Sequence, residues 1–362
     1  MKKRRIFLAI ATLILGLGIV SVSLSGSLRE TLSKRTTPAA TPVAPASDKS
    51  AQVTPARAET APRRFLADPL DLERLTNNAD LIIIGRINAT SNGGRATATL
   101  AIDKVVKGEA ETQTIDFQFS PNAPSATARI QPEVFGMFFL KRNEAGGGYR
   151  ILDPTYPAVI APANAVLSKE GGLERTVNVV GQVLLTARTA ADRQVAVIVL
   201  SSARNARATE LLRQGATDSD SVVKMQSISA LLNRNDIETL SIAEKTLLNP
   251  PARTEPYLLD NISAALEGIK DPQAIPALQR LLRSSNERTR LGAIMALRQM
   301  HVMDAVDGLV IALGDHSREV RYESVIGLSE LTRQNEWGPA IGSFEKDEQK
   351  YLDHWKEWAR NR

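Results

Sequence analysis

The sequence predicts a multidomain α and β protein, a small β-barrel or sandwich followed by an α-helical solenoid. Three observations predict it. Short β-branched runs crowd residues 67–165, the hydrophobic period turns helical from about Gly171, and a 31-residue spacing recurs beyond that point. Strands and helices bury their apolar residues at different periods, so a change of period marks a change of architecture.

A chain of 362 residues is too long for one ordinary domain. Its 43% hydrophobic content suffices for buried cores, while 4% aromatics leave few rings for stacking on sugars or bases. The net charge of +5 is unevenly placed: residues 1–64 hold eleven Lys/Arg against three Asp/Glu, so the rest of the chain is slightly acidic. No nucleic-acid partner is expected from that distribution. The absence of cysteine excludes disulfides, thiolate metal sites and a cysteine nucleophile.

The chain opens on "MKKRR" and continues from Ile6 to Leu24 without a charge. Residues 1–26 therefore read as a signal peptide or membrane anchor. The length favours an anchor, because a span takes about 20 apolar residues and a signal core roughly 7–15. Small residues at Ser23 and Ser25 keep cleavage before Gly26 open. By the positive-inside rule the expected location is the inner membrane, through residues 6–24, with the folded domains in the periplasm or outside, or secreted if the segment is cleaved. Residues 27–66 read as a disordered Pro/Ala/Thr linker, since Thr36–Pro62 holds five prolines, eight alanines and no aromatic, Leu or Ile.

Within the β-rich module at 67–165, Leu81–Thr90 and Arg95–Val106 are strand candidates joined by "SNGG", whose Asn92-Gly93 is a hairpin signal. Further strands are expected at Gln113–Phe119, Val134–Arg142 and Tyr149–Asp153. The block Leu81-Ile-Ile-Ile-Gly85, then Val105-Val-Lys-Gly108, then Phe138-Phe-Leu-Lys141 resembles a bacterial envelope module of OB or netrin-like type. Its notable charges, Arg86, Lys107 and Asp153, have no recognisable catalytic spacing. "AGGGYR" lacks the helix and lysine that a phosphate loop needs.

In the solenoid at 171–335, Leu173, Val177, Val180 and Leu184 recur at helical spacing, and Val195–Ser202 suits a buried helix. Ala274, Leu278, Leu282, Arg290, Ile294 and Leu297 align with Ala305, Leu309, Leu313, Arg321, Val325 and Leu328 at a constant offset of 31. A third copy, at offset 97, matches Leu212, Asp218, Val223, Lys224, Ile228 and Leu231 to Leu309, Asp315, Val320, Arg321, Val325 and Leu328. A degenerate copy between them carries Leu259 at the basic position. Asp271-Pro272, Asp304 and Ser317 are expected helix caps, and Asn249-Pro250-Pro251 a helix stop. Each helix pair has an apolar stripe that only a stacked neighbour can bury.

"LGDHSREVRYESVIGL" (Leu313–Leu328) resembles the HEAT-like repeat of the phycobilisome-lyase type, with Leu313, Asp315, Val320, Arg321 and Leu328 on its pattern. The copy from Asp271 departs from it at Ser284 and Thr289. That resemblance implies a solenoid over roughly Arg204–Leu331. It implies less about function: bilin attachment by such repeats belongs to the cytoplasm, which the expected anchor argues against.

Residues 336–362 read as a C-terminal capping helix. Tyr351, Trp355 and Trp358 lie on one face, either as the cap's inner side or as an aromatic contact for a partner. Lys224, Arg290 and Arg321, with Asp218 and Asp315, form a row along the stack, either a structural ladder or a binding row for an acidic partner.

No catalytic, cofactor-binding or metal-ligating set is expected. His301, His316 and His354 have no metalloprotease spacing, and no nucleophile elbow or dinucleotide fingerprint is present. The expected function is a non-catalytic, membrane-tethered envelope adaptor that binds a protein partner through the solenoid. The alternative is an enzyme or enzyme subunit with a site between the β module and the first helices.

Overall fold

Leu81-Ile-Ile-Ile is apolar at four successive positions, so a strand built on it has two faces to bury. The structure, a computed structural model, describes residues 70–362 apart from 92–95, 122–129, 145–146 and 253. It places this run at the start of β1 (Leu81–Ser91), between β2 (Thr97–Lys107) and β4 (Phe135–Arg142). With β3 (Thr114–Gln118) and β5 (Tyr149–Ile151) they close a barrel in the order β1-β2-β3-β5-β4, antiparallel except for the β3–β5 pair. Leu81, Ile83, Leu100, Phe117, Phe138 and Leu140 fill its interior.

Ile82, Ile84, Met137 and Phe139, on the alternate face of β1 and β4, are buried as well. Helices adjoin these strands. A short helix α1 (Leu72–Asn78) adjoins β4, and α2 (Gly172–Thr186) adjoins β2. Lys107 Nζ donates to the carbonyls of Thr76 and Asn77 at 2.8 and 3.1 Å, which places a cation at the carboxyl end of α1. Arg175 of α2 donates to the Val106 carbonyl at 2.9 Å. Gly108 then turns the chain out of β2 at φ 82°, with the Asp80 carbonyl 2.5 Å from where a Cβ would stand, so only glycine fits. Leu70–Arg362 forms one compact unit.

Five helix pairs follow α1 and the barrel: α2 with α3 (Ala190–Ser201), α4 (Ala206–Gly215) with α5 (Ser221–Leu232), α6 (Leu240–Leu248) with α7 (Pro256–Ala265), α8 (Ile275–Leu281) with α9 (Glu287–Gln299), and α10 (Val306–Ala312) with α11 (Arg318–Thr332). The second helices α3, α5, α7, α9 and α11 each pack on the next, forming one layer of a two-layer stack. Thr189, Asn205, Asp220, Asn286 and Ser317 accept first-turn N–H bonds, which sets five helix starts. Asp271 caps the turn that leads into α8, and α6 ends at Leu248 just before Asn249-Pro250-Pro251. Asp304 is no cap: it sits inside a short 3-10 turn, Met303–Ala305, that opens at Val302.

The segment after α11 forms two helices, α12 (Ile341–Lys346) and α13 (Glu348–Asn361). Trp355 is fully buried and donates from Nε1 to the Trp337 carbonyl at 3.2 Å. Tyr351 and Trp358 are half-buried on either side of it.

The expected membrane placement needs correction. Residues 6–24, and the linker at 27–66, lie outside the described residues, and no helix among the described residues is long and apolar enough to cross a membrane. The structure therefore indicates no localisation. The Asn92-Gly93 hairpin signal also lies outside the described residues, although the strands flanking it pair antiparallel up to Ser91 and Thr97.

Candidate functional site

The repeat register places one residue in the first turn of each second helix. At Arg290 the guanidinium donates from Nε and Nη2 to both carboxylate oxygens of Asp315, at 2.7 and 3.0 Å, and from Nη1 to the Ser284 carbonyl at 3.0 Å. It thus holds its own unit's turn with one nitrogen and the next unit's aspartate with two. Arg193 of α3 repeats the arrangement, bonding both oxygens of Asp218 at 2.8 and 2.9 Å and the Ala187 carbonyl at 3.1 Å. Arg321 does the same in the last repeat helix, donating to the carbonyls of Asp315 and His316 and to Glu348 of α13.

Each aspartate has a second task. Asp218 accepts from the Asp220 N–H and Asp315 from the Ser317 N–H, both at 2.8 Å, shaping the turn into the following helix. At the equivalent place Ser284 accepts from the Asn286 N–H at 3.2 Å, keeping the turn without the charge, and the arginine position facing it is Leu259. The rungs are therefore charged pairs at Arg193–Asp218, Arg290–Asp315 and Arg321–Glu348, while the corresponding register positions between them hold the uncharged Leu259 and Ser284. Lys224 is the exception: among the described residues it makes no ion pair.

Pairing sets the ionisation of these acids. The hydrogen bond from Arg193 holds the Asp218 carboxyl below its ordinary value, and that from Arg321 does the same for Glu348. Burial alone would raise Asp315, yet the bonds from Arg290 and the Ser317 N–H, with the guanidinium charge, keep it low. Glu267 behaves oppositely: burial, reinforced by the charge of Glu323, raises its carboxyl. Nearby, Arg298 joins Glu323 and Glu330 across α9 and α11.

Spacing alone reaches Arg290, Arg321, Lys224, Asp218 and Asp315. Arg193 stands 31 residues before Lys224, so the same offset carried one unit upstream finds it. Glu348 lies outside the repeat, and no periodic signal marks it. In α13, His354 stacks on Trp337 at 3.6 Å between ring centroids, and burial lowers its pKa from 6.5.

Between the loop after the barrel and the first helices lies a cleft of about 830 Å³, lined among others by Val166, Glu174, Gln182, Leu185 and Arg207. Several of its polar groups are engaged. The Gln182 amide accepts from the Val166 N–H at 2.8 Å and donates to the Val166 carbonyl at 2.7 Å, while Arg207 bonds Asn178 and Glu210. Among the described residues no group of three or more His, Cys, Asp or Glu could hold a metal ion.

The architecture is a small five-stranded barrel followed by a HEAT-like helical solenoid. Residues 253–329 match the family of HEAT repeats. Solved structures similar to the chain include the complex of CpcE and CpcF of phycocyanin lyase from Nostoc sp. PCC7120, at 18% identity over 48% of this chain and 71% of that one, with a TM-score of 0.36. An engineered protein matches at 21% identity over 44% of this chain and 80% of that chain, with a TM-score of 0.33. Human deoxyhypusine hydroxylase in complex with glycerol matches at 18% identity over 52% of this chain and 74% of that one, with a TM-score of 0.24. No curated protein matches the sequence.

Proposed function

We propose that the protein is a non-catalytic scaffold that binds a protein partner through its helical solenoid. The observation that carries this reading is the ladder. The register arginines and their acids, the residues best placed to form a reactive constellation, are consumed in joining one unit to the next. A stack held in this way offers an extended surface of the kind that solenoids use for proteins and peptides. Five strands with a Greek-key closure support reading the barrel as an OB-type module docked on the first helices.

Crosslinking followed by affinity recovery of the full chain from its source cells tests the proposal. A stoichiometric protein partner is expected, and recovery of none overturns it. The competing reading, an enzyme or enzyme subunit working in the cleft by Val166 and Leu185, rests on that cleft's volume of about 830 Å³. It requires that Glu174→Gln or Arg207→Met abolish a turnover which Lys224→Glu leaves intact.

A further inference from the structure

The cleft beside α2 joins exposed apolar side chains to a surplus of negative charge. Val166 and Leu185, exposed by 72% and 48%, both line it, and Val166 is the most exposed large apolar side chain among the described residues. The two are neighbours in space. The Gln182 carboxamide bonds both backbone groups of Val166, and Leu185 follows Gln182 by three residues on α2, a spacing at which side chains adjoin on a helix surface. Apolar side chains exposed together at a concave surface mark an interaction site, whereas scattered single ones do not.

The charge lies farther along the same face. Glu174 and Leu185 are eleven residues apart on α2, which brings them within about 20° of one stripe and separates them by about 16 Å. Gly181 lies on that stripe, and a Cβ there would meet Leu211 of α4 at 2.5 Å, so α4 closes on α2 as one wall of the cleft. The loop through Val166 and Ser168 is the other wall, tied to α2 by Gln182 and by the bond from Asn178 to Ser168 at 3.3 Å. Glu174 is exposed and makes no hydrogen bond or ion pair among the described residues. Glu170 lines the cleft as well; the Ser168 hydroxyl and its own N–H, with the charges of Arg207 and Arg175, hold its carboxyl below the ordinary 4.5. The one cation in the lining, Arg207, is already bonded to Asn178 and Glu210.

We infer that this cleft seats an extended partner segment that lays an apolar side chain against Val166 and Leu185 and sets a lysine or arginine over Glu174. The charge commits the occupant to a basic and apolar peptide, since an acidic one would be repelled by Glu170 and Glu174 alike. A distance of about 16 Å is spanned by roughly five residues of extended chain, so the two recognised side chains stand about four to six positions apart. This inference rests on the scaffold reading and adds to it the seat and the chemistry of the partner.

The test uses the full-length protein and a panel of short fluorescein-labelled peptides, each pairing one Lys or Arg with a Leu, Ile or Phe at separations from adjacent to about eight residues. A matched panel carries Glu in place of the basic residue. Fluorescence polarisation is expected to detect basic peptides binding tighter than about 1 mM, and tightest at separations of about four to six residues. Glu174→Lys should weaken them about tenfold and turn the preference to the acidic panel, because reversal replaces an attraction by a repulsion. Leu185→Ser should weaken the basic panel by a similar factor. Both side chains are exposed, so circular dichroism melts of the two variants should match the parent. Absence of binding by every basic peptide, equal affinity for parent and Glu174→Lys, or an affinity indifferent to the separation overturns the inference. So does a concentration-dependent dimer in sedimentation velocity that Leu185→Ser abolishes, which would make a second copy the occupant. A stoichiometric protein partner whose affinity ignores both substitutions overturns this site while leaving the scaffold reading intact.

Discussion

Replacing Arg290 by Leu and Asp315 by Ser together gives a charged rung the uncharged residues that stand 31 positions earlier in the repeat, Leu259 and Ser284. Arg290 and Asp315 are 12% and 7% exposed at the side chain, close to the buried regime. Removing one member of a buried pair costs about 3–5 kcal/mol, against about 0–1 kcal/mol for an exposed pair. We take about 3 kcal/mol for each single substitution, since solvent still touches both groups. Arg290→Leu leaves the Asp315 carboxylate with only the Ser317 N–H, and Asp315→Ser leaves a guanidinium bonded only to the turn carbonyls. The double variant strands no charge and should lose about 2 kcal/mol, where independent sites would lose about 6 kcal/mol. With an unfolding entropy of about 0.6 kcal/mol/K for the compact unit Leu70–Arg362, each single variant should melt about 5 °C below the parent and the double about 3–4 °C below it. Circular dichroism melts at neutral pH and moderate salt read these shifts. A double variant melting about 10 °C low would show that the two residues act independently and refute the ladder as a coupled device.

Gly292→Ala puts a Cβ 2.1 Å from the Ser263 carbonyl, where α9 lies against α7, and should cost about 1–3 kcal/mol in denaturant titrations. Trp355→Ala empties a fully buried seat in α13, and a loss of about 3–5 kcal/mol is expected, read as early melting by near-ultraviolet dichroism. Asp218, Asp315 and Glu348 have folded pKa values below their ordinary 3.8 and 4.5, so their contribution is complete above those values and is lost as pH falls through the folded ones. Melting temperature should therefore drop steeply below about pH 4.5, and less steeply in the Arg290→Leu/Asp315→Ser variant. Glu267 is raised, so its contribution is present below its ordinary 4.5 and lost as pH climbs through the folded value. Glu267→Gln should consequently stabilise the protein at neutral pH and lose that advantage in acid; equal effects at both pH values would contradict the unpaired carboxylate.

The order of barrel and helices was legible because each signal is local. Four successive apolar residues at Leu81–Ile84 demand a strand covered on both faces, and a helix pair repeated every 31 residues demands stacking. Which helices adjoin β4 and β2 was not legible, since α1 and α2 meet the barrel only through the tertiary fold. The same division runs through the charged row. Periodicity identified Arg290, Arg321, Lys224, Asp218 and Asp315 as register positions, because a repeat fixes where a residue falls on its helix. It could not pair them, because pairing depends on how one unit is set against the next. The structure joins Arg290 forward to Asp315, gives Arg321 an acid from the non-repeating α13, and leaves Lys224 without an ion pair among the described residues. By itself the sequence determined the units and their register, through spacings along the chain. Only the tertiary structure decided which charges meet, because partners 25 to 27 residues apart come within hydrogen-bond reach only after the units stack.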